Sequence, residues 1–232
     1  MKITYWSDYA CPWCYIGVSR LKNAIKELGV ESLVTLKMRA YQLDPGAPLK
    51  AESDNITKAA ARFGVSKEEA MAKMRQMFDM AKANGIEFNY ATARNTNTFD
   101  AHRLTKLAES KGDEKLLNAM IDRLYKAYFT DNLELADHET LVALAKEAGL
   151  DETEVREMLA GDKYGDLVLG DERQSALFGV RGVPFFLAGM YNIPGCIDKD
   201  TWIKVLMEVL QASGELDTMS GMACGPAPHK IP

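Results

Sequence analysis

Lys2-Ile3-Thr4-Tyr5-Trp6-Ser7-Asp8-Tyr9-Ala10-Cys11-Pro12-Trp13-Cys14 follows Met1, and the fold is read outward from it. Residues 2–7 are rich in β-branched and aromatic types and read as a strand. Asp8-Tyr9-Ala10 is a short connection, and Pro12 suits the first turn of a helix, where its missing N–H costs nothing. Ile16, Val18, Leu21, Ala24, Ile25 and Leu28 then recur at helical spacing, with Gly29 as the stop. A second strand is expected over 33–41, closed by Asp44-Pro45-Gly46 and Pro48. Strand, helix and strand in such quick succession make a βαβ unit with parallel pairing.

From 51 to 179 the pattern becomes helix after helix, expected at 54–63, 66–84, 98–111, 113–129, 137–148, 151–160 and 162–179. Ser66 with Glu69, and Asp151 with Glu154, have the spacing of capping boxes, while Gly64, Gly85, Gly112 and Gly149 mark helix ends. Strand character returns at 183–188 and 191–194, joined by Gly189-Met190, and a helix over 199–213 follows. The fold class is therefore α/β, a thioredoxin-like βαβ…αββα outline with a large inserted all-helical domain. The expected division is 1–50 plus 161–214 for the thioredoxin-like part, 51–160 for the insertion, and 215–232 as an irregular C-terminal tail.

The 232 residues are 47% hydrophobic and 26% charged, ordinary values for a chain that packs a core. The net charge of −5 is scattered, and the absence of a Lys/Arg cluster argues against nucleic acid. No run of apolar residues is long enough to span a membrane. The N-terminal stretch reaches polar residues too early for a signal-peptide apolar region, so the expected location is cytoplasmic. In that compartment a cysteine pair is more often catalytic or metal-binding than structural.

Cys11-Pro12-Trp13-Cys14 sits where a strand feeds a helix. That position places the first thiol beside unpaired backbone N–H groups and the positive end of the helix dipole, both of which favour the nucleophilic thiolate. Cys11 is the expected nucleophile and Cys14 the resolving thiol, with Pro12 and Trp13 shaping the site between them. No cofactor is called for. The competing reading is zinc, since Cys196 and Cys224 bring the total to four sulfurs. A four-cysteine zinc site normally uses two close pairs, whereas Cys196 and Cys224 lie 28 residues apart, so the spacing favours redox chemistry. Val183-Pro184 opens the apolar run after the helices, in the right order for a cis-proline that presents a backbone edge to a substrate peptide.

With these features in hand, the sequence resembles the DsbA family, and within it the FrnE-like branch. Three stretches carry the resemblance: Asp8 to Cys14, Asn97-Thr98-Phe99-Asp100-Ala101-His102-Arg103-Leu104, and Gly182-Val183-Pro184-Phe185-Phe186. It implies a thioredoxin fold with a helical insertion, disulfide exchange or isomerisation on protein thiols and disulfides, and a cis Pro184 at the site. FrnE-like proteins often carry a second cysteine pair in the C-terminal segment. Here Cys224 has no following cysteine, and Cys196 lies elsewhere, so Cys196 with Cys224 is a candidate second redox pair beside the alternative that both are inert. The related 2-hydroxychromene-2-carboxylate isomerases and kappa-class glutathione transferases typically place serine where Cys11 stands. A glutathione-dependent isomerase or transferase is thus one alternative function, and a zinc-stabilised interaction module without turnover another. Glutathione is a candidate small-molecule partner; monomer and homodimer both stay open.

Met71, Met74, Met77 and Met80 recur every three residues and are expected as a core stripe rather than a substrate groove. His102 is expected to pack at the domain junction. Tyr9 and Trp13 flank the thiols and are expected to contact substrate where exposed. Tyr125, Tyr128 and Phe129 are expected in the core.

Overall fold

The structure is a computed structural model that describes residues 1–214; Cys224 and the expected tail lie outside the described residues. The elements run β1 (Lys2–Ser7), α1 (Pro12–Leu28), β2 (Thr35–Ala40), α2 (Asn55–Phe63), α3 (Lys67–Ala83), α4 (Phe99–Ser110), α5 (Glu114–Phe129), α6 (His138–Ala148), α7 (Glu152–Ala160), α8 (Gly165–Leu177), β3 (Phe185–Ala188), β4 (Tyr191–Pro194) and α9 (Lys199–Ala212). The sheet order is β2-β1-β3-β4. β1 pairs in parallel with β2, and β3 is antiparallel to both β1 and β4. This is the α/β, thioredoxin-like arrangement expected, with the helices α2–α8 between β2 and β3.

As an inner strand, β1 is covered on both faces, so Tyr5 and Trp6, which point to opposite sides, are both buried. Tyr5 stacks on Phe186 at 5.7 Å, and Phe186 meets Trp202 of α9 edge-on at 4.9 Å. On the opposite face Trp6 packs against Phe178 and Phe185, and its indole N–H donates to the Asp171 carbonyl at 2.9 Å. Trp6 and Trp202 are wholly buried. Side chains of this size contribute about 1.5–3 kcal/mol or more each when fully buried.

A buried charge cluster ties the inserted helices to the sheet. Lys106 of α4 lies 2.6 Å from the Asp171 carboxylate of α8, and both side chains are only 4% exposed. Arg39 of β2 adds a second cation to Asp171 at 2.7 Å, and the Ala40 N–H donates to its other oxygen at 2.9 Å. Arg103 donates to the carbonyls of Met158, Gly161 and Lys163, so one guanidinium closes the end of α7 and the turn into α8.

Several boundaries shift for physical reasons. β2 starts at Thr35 because Glu31–Leu33 form a short 3₁₀ turn. α8 starts at Gly165, since Tyr164 adopts a left-handed φ of 70° that no helix interior allows. β3 begins only after Pro184, which cannot donate to the ladder. The Ser66–Glu69 capping box is complete. At Asp151 only half of the box forms: its carboxylate accepts from Glu154 N, but the Glu154 side chain pairs with Lys111 instead. The methionine stripe also departs from expectation. A three-residue repeat drifts around a helix of 3.6 residues per turn, so Met77 is buried while Met71 is 39% exposed.

Candidate active site

The β1–α1 turn brings Cys11 to the N-cap of α1, with extended backbone angles, Pro12 at the first helical position and Gly29 as a left-handed C-cap. The Cys14 N–H donates to the Cys11 sulfur at 3.2 Å, so one of the helix's orphan donors is spent on that atom. Cys11 and Cys14 are both free thiols. From the far end of the chain, the peptide bond between Val183 and Pro184 is cis, and the Cys11 thiol faces the Val183 carbonyl at 3.6 Å. The four expected residues Cys11, Cys14, Val183 and Pro184 are thus brought together. Pro12 begins the helix, and Trp13 is 40% exposed above it.

The two sulfurs have different surroundings. Cys14 is fully buried, and burial pushes its thiol well above the ordinary range, reinforced by the neighbouring Cys11. The Ser7 hydroxyl and the Asp8 backbone N–H pull in the opposite direction without reversing the shift. Ser7 in turn shares a short hydrogen bond with the Tyr125 hydroxyl, placing a buried polar pair below the site. Tyr9 does not reach a substrate as expected. It is wholly buried, its hydroxyl bonds Thr105, and its ring packs on His102 and Tyr125 at 5.0 Å each. Tyr125, Tyr128 and Phe129 form the expected core.

Asp8 does more than connect strand to helix. Its buried carboxylate accepts from Thr98 Oγ1 and Leu43 N, each at 2.8 Å, and from Ala10 N at 3.3 Å. Asn97 donates to Pro45 O and caps Phe99 N. His102 lies 3.5 Å from Asp8, buried at the junction as expected, with no hydrogen-bond partner for Nε2. The stretch from Asn97 to Arg103 is therefore a clamp between the site loop and the inserted helices. Its chemistry could not be read from the letters, although the motif itself was visible.

Cys196 was singled out as half of a pair, and its partner Cys224 lies outside the described residues. The structure places Cys196 beside the site. A Cβ added at Gly17 would stand 3.1 Å from Pro184 Cγ and 3.6 Å from Cys196 Sγ. Arg20 donates to the Cys196 carbonyl at 3.3 Å and contacts its sulfur at 3.5 Å. Burial raises the Cys196 thiol, and Arg20 partly offsets that. Among the described residues no three metal-capable side chains converge.

The DSBA-like thioredoxin domain family matches residues 2–206. The chain belongs to this family. A solved structure of a probable DsbA oxidoreductase from Streptomyces coelicolor resembles this DsbA-like chain with a TM-score of 0.82 and 34% identity, covering 100% of this chain and 93% of that one. A 2-hydroxychromene-2-carboxylate isomerase shares the fold at TM-score 0.64 and 15% identity, over 97% of this chain and 100% of its own. The cytosolic disulfide reductase DsbM from Pseudomonas aeruginosa shares it at TM-score 0.59 and 18% identity, over 91% and 100%. DsbM has also been solved with GSH. Among the described residues of this DsbA-like chain, no helix is long and apolar enough to cross a membrane.

Proposed function

We propose that this DsbA-like chain is a thiol–disulfide oxidoreductase or isomerase acting on protein thiols and disulfides, with Cys11 as nucleophile and Cys14 as resolving thiol. The observation that carries this reading is the placement of the Cys11 sulfur at the N-cap of α1, 3.2 Å from Cys14 N and 3.6 Å from the Val183 carbonyl. The Val183–Pro184 edge offers backbone polar groups to an extended peptide. Cys11 attacks a substrate disulfide and expels one thiolate; Cys14 then attacks the mixed disulfide and releases the second. Run in reverse, the same steps oxidise a dithiol. The raised Cys14 thiol suits a resolving role, because it stays protonated until the mixed disulfide draws it forward. Pro12 and Trp13 shape the surface over which the substrate passes. The cytosolic reductase among the structural relatives supports a cytoplasmic setting with protein thiols and glutathione as partners.

Insulin reduction by the wild type and by Cys11→Ser tests the reading. Wild type is expected to turn over insulin and the variant to lose turnover; equally slow reduction by both would remove the role of the pair. The Cys11–Cys14 reduction potential then assigns the direction, since potentials on either side of the cytosolic poise separate reductants from oxidants.

A further inference from the structure

Two buried hydroxyls lie beside the resolving thiol, and the scheme above uses neither. Ser7 ends β1 and is wholly buried; its hydroxyl and that of Tyr125 on α5 share a hydrogen bond of 2.5 Å. Burying two hydroxyls costs free energy that an apolar pair of the same shape would not. The Tyr125 ring is fixed by its neighbours, with Tyr15 stacked at 4.9 Å, planes 3° apart, and Tyr9 tilted against it at 5.0 Å. Tyr15 directly follows Cys14. The residue after the thiol thus holds the ring whose hydroxyl reaches Ser7.

The Ser7 hydroxyl and the Asp8 N–H face Cys14 and favour its ionised form against the effect of burial. The titratable groups around Cys14 are Cys11 and Asp8 in its own turn, Tyr5 on β1 and Tyr125 on α5. None of them is a cation. The Asp8 carboxylate is engaged by Thr98, Leu43 and Ala10, and burial raises both phenols, so they keep their protons. A negative charge on the Cys14 sulfur is therefore met by hydrogen-bond donors. Each hydroxyl has one proton to give. Among the described residues Tyr125 makes no hydrogen bond other than the one with Ser7. With Tyr125 donating to Ser7, the Ser7 proton is left for the sulfur and every proton in the row is used. The reverse order leaves the phenol proton without an acceptor and turns a lone pair toward the sulfur.

We propose that Ser7, oriented by Tyr125, donates to the Cys14 sulfur as it becomes a thiolate, and that this pair governs the resolving step. The inference rests on the redox reading given above. In that step Cys14 gives up its proton and its sulfur attacks the Cys11 sulfur. The Cys11–Cys14 bond forms as the Cys11–substrate bond breaks, and the departing substrate thiolate takes up one proton. The two electrons that reduce the substrate come from the Cys11–Cys14 dithiol, which ends as the disulfide. Ser7 keeps its own proton throughout.

The test is the reaction of the reduced full-length protein with an equimolar amount of 5,5′-dithiobis(2-nitrobenzoate), in which attack by Cys11 and then by Cys14 each release one coloured thiolate. In Ser7→Ala the first release should stay close to wild type. The second should be slower by about tenfold at neutral pH, the effect of one hydrogen bond to a charged group. That deficit should shrink as pH rises, because Cys14 then ionises without help; a role in folding alone would slow the second release equally at every pH. Ser7→Thr keeps the hydroxyl and should restore most of the rate. Tyr125→Phe should show a smaller loss with the same pH dependence, and adding it to Ser7→Ala should cost nothing more, since the two act in one line. Should Ser7→Ala lose the first release as well, Tyr125→Phe carries the same comparison. A second release unchanged in both variants, or a deficit that does not vary with pH, overturns the assignment. A wild type that releases one thiolate only and leaves insulin intact overturns the underlying redox reading instead.

Discussion

Replacing Asp8 with alanine should be among the most damaging single changes near the site, and the structure sets the size of the effect. The carboxylate is buried and accepts two hydrogen bonds at 2.8 Å, from Thr98 Oγ1 and Leu43 N, with a third at 3.3 Å from Ala10 N. Bonds to a charged acceptor contribute about 1.5–3 kcal/mol each, and the longer one less. Alanine also leaves the Thr98 hydroxyl and Leu43 N–H without partners in a site that water reaches poorly. The expected cost is about 3–5 kcal/mol, read as a shift of the urea midpoint at constant slope. For a chain of this size that corresponds to a fall in Tm of roughly 10 °C. Asp8→Asn keeps one acceptor oxygen and should lose about half as much. Thr98→Val tests the contact itself: its effect should be smaller in an Asp8→Ala background, with a coupling energy of at least about 1 kcal/mol. A cost for Asp8→Ala below about 1 kcal/mol, or strict additivity with Thr98→Val, would refute the clamp.

Two further outcomes follow from geometry and charge. Burial holds the Cys14 thiol above its unfolded value, so above about pH 8.5 the unfolded chain loses a proton that the native chain keeps. This contribution is fully present below the unfolded pKa and is lost as pH rises; Tyr5 and Tyr125, raised by the same cause, extend the loss above about pH 10. Cys14→Ala should flatten the decline in denaturation midpoint between about pH 8.5 and 10, and an unchanged slope would contradict it. Gly17→Ala gains about 1 kcal/mol of helix propensity but forces a methyl to within 3.1 Å of Pro184, a crowding that costs about 1–3 kcal/mol. The expected result is a small net destabilisation with insulin turnover down severalfold; higher stability with full turnover would show that Pro184 yields freely.

What could be read in advance was what local chemistry dictates. β1 declares itself in Lys2–Ser7, α1 in Pro12 and its apolar spacing, and the helix ends in Gly29, Gly64 and Gly149. Val183 and Pro184 were legible because their order after the helices matches what a peptide edge needs. Contacts between distant segments were not. Tyr9 beside a thiol looks like a substrate contact until α4 and α5 close over it. Glu154 has the spacing for a capping box, but Lys111, 43 positions earlier, takes its carboxylate. The four methionines look like one stripe only when the drift of a three-residue repeat is ignored.

The site's halves, Cys11 and Val183, are separated by 172 positions. Such an arrangement has a temporal side. Closing β1 onto β3 (Ile3 with Ala188) rather than onto β2 (Ile3 with Leu36) lengthens the loop more than fivefold, an added entropic cost of roughly 1.5 kcal/mol unless intervening helices have already shortened the path. A ribosome delivers both thiols long before it delivers the edge that faces them. Until then Cys11 and Cys14 belong to an incomplete sheet, open to any passing oxidant and without a surface that selects a partner. Only the finished chain reduces them to 1% and 0% exposure, so the last strands laid down convert a generic pair of reactive sulfurs into a guarded one.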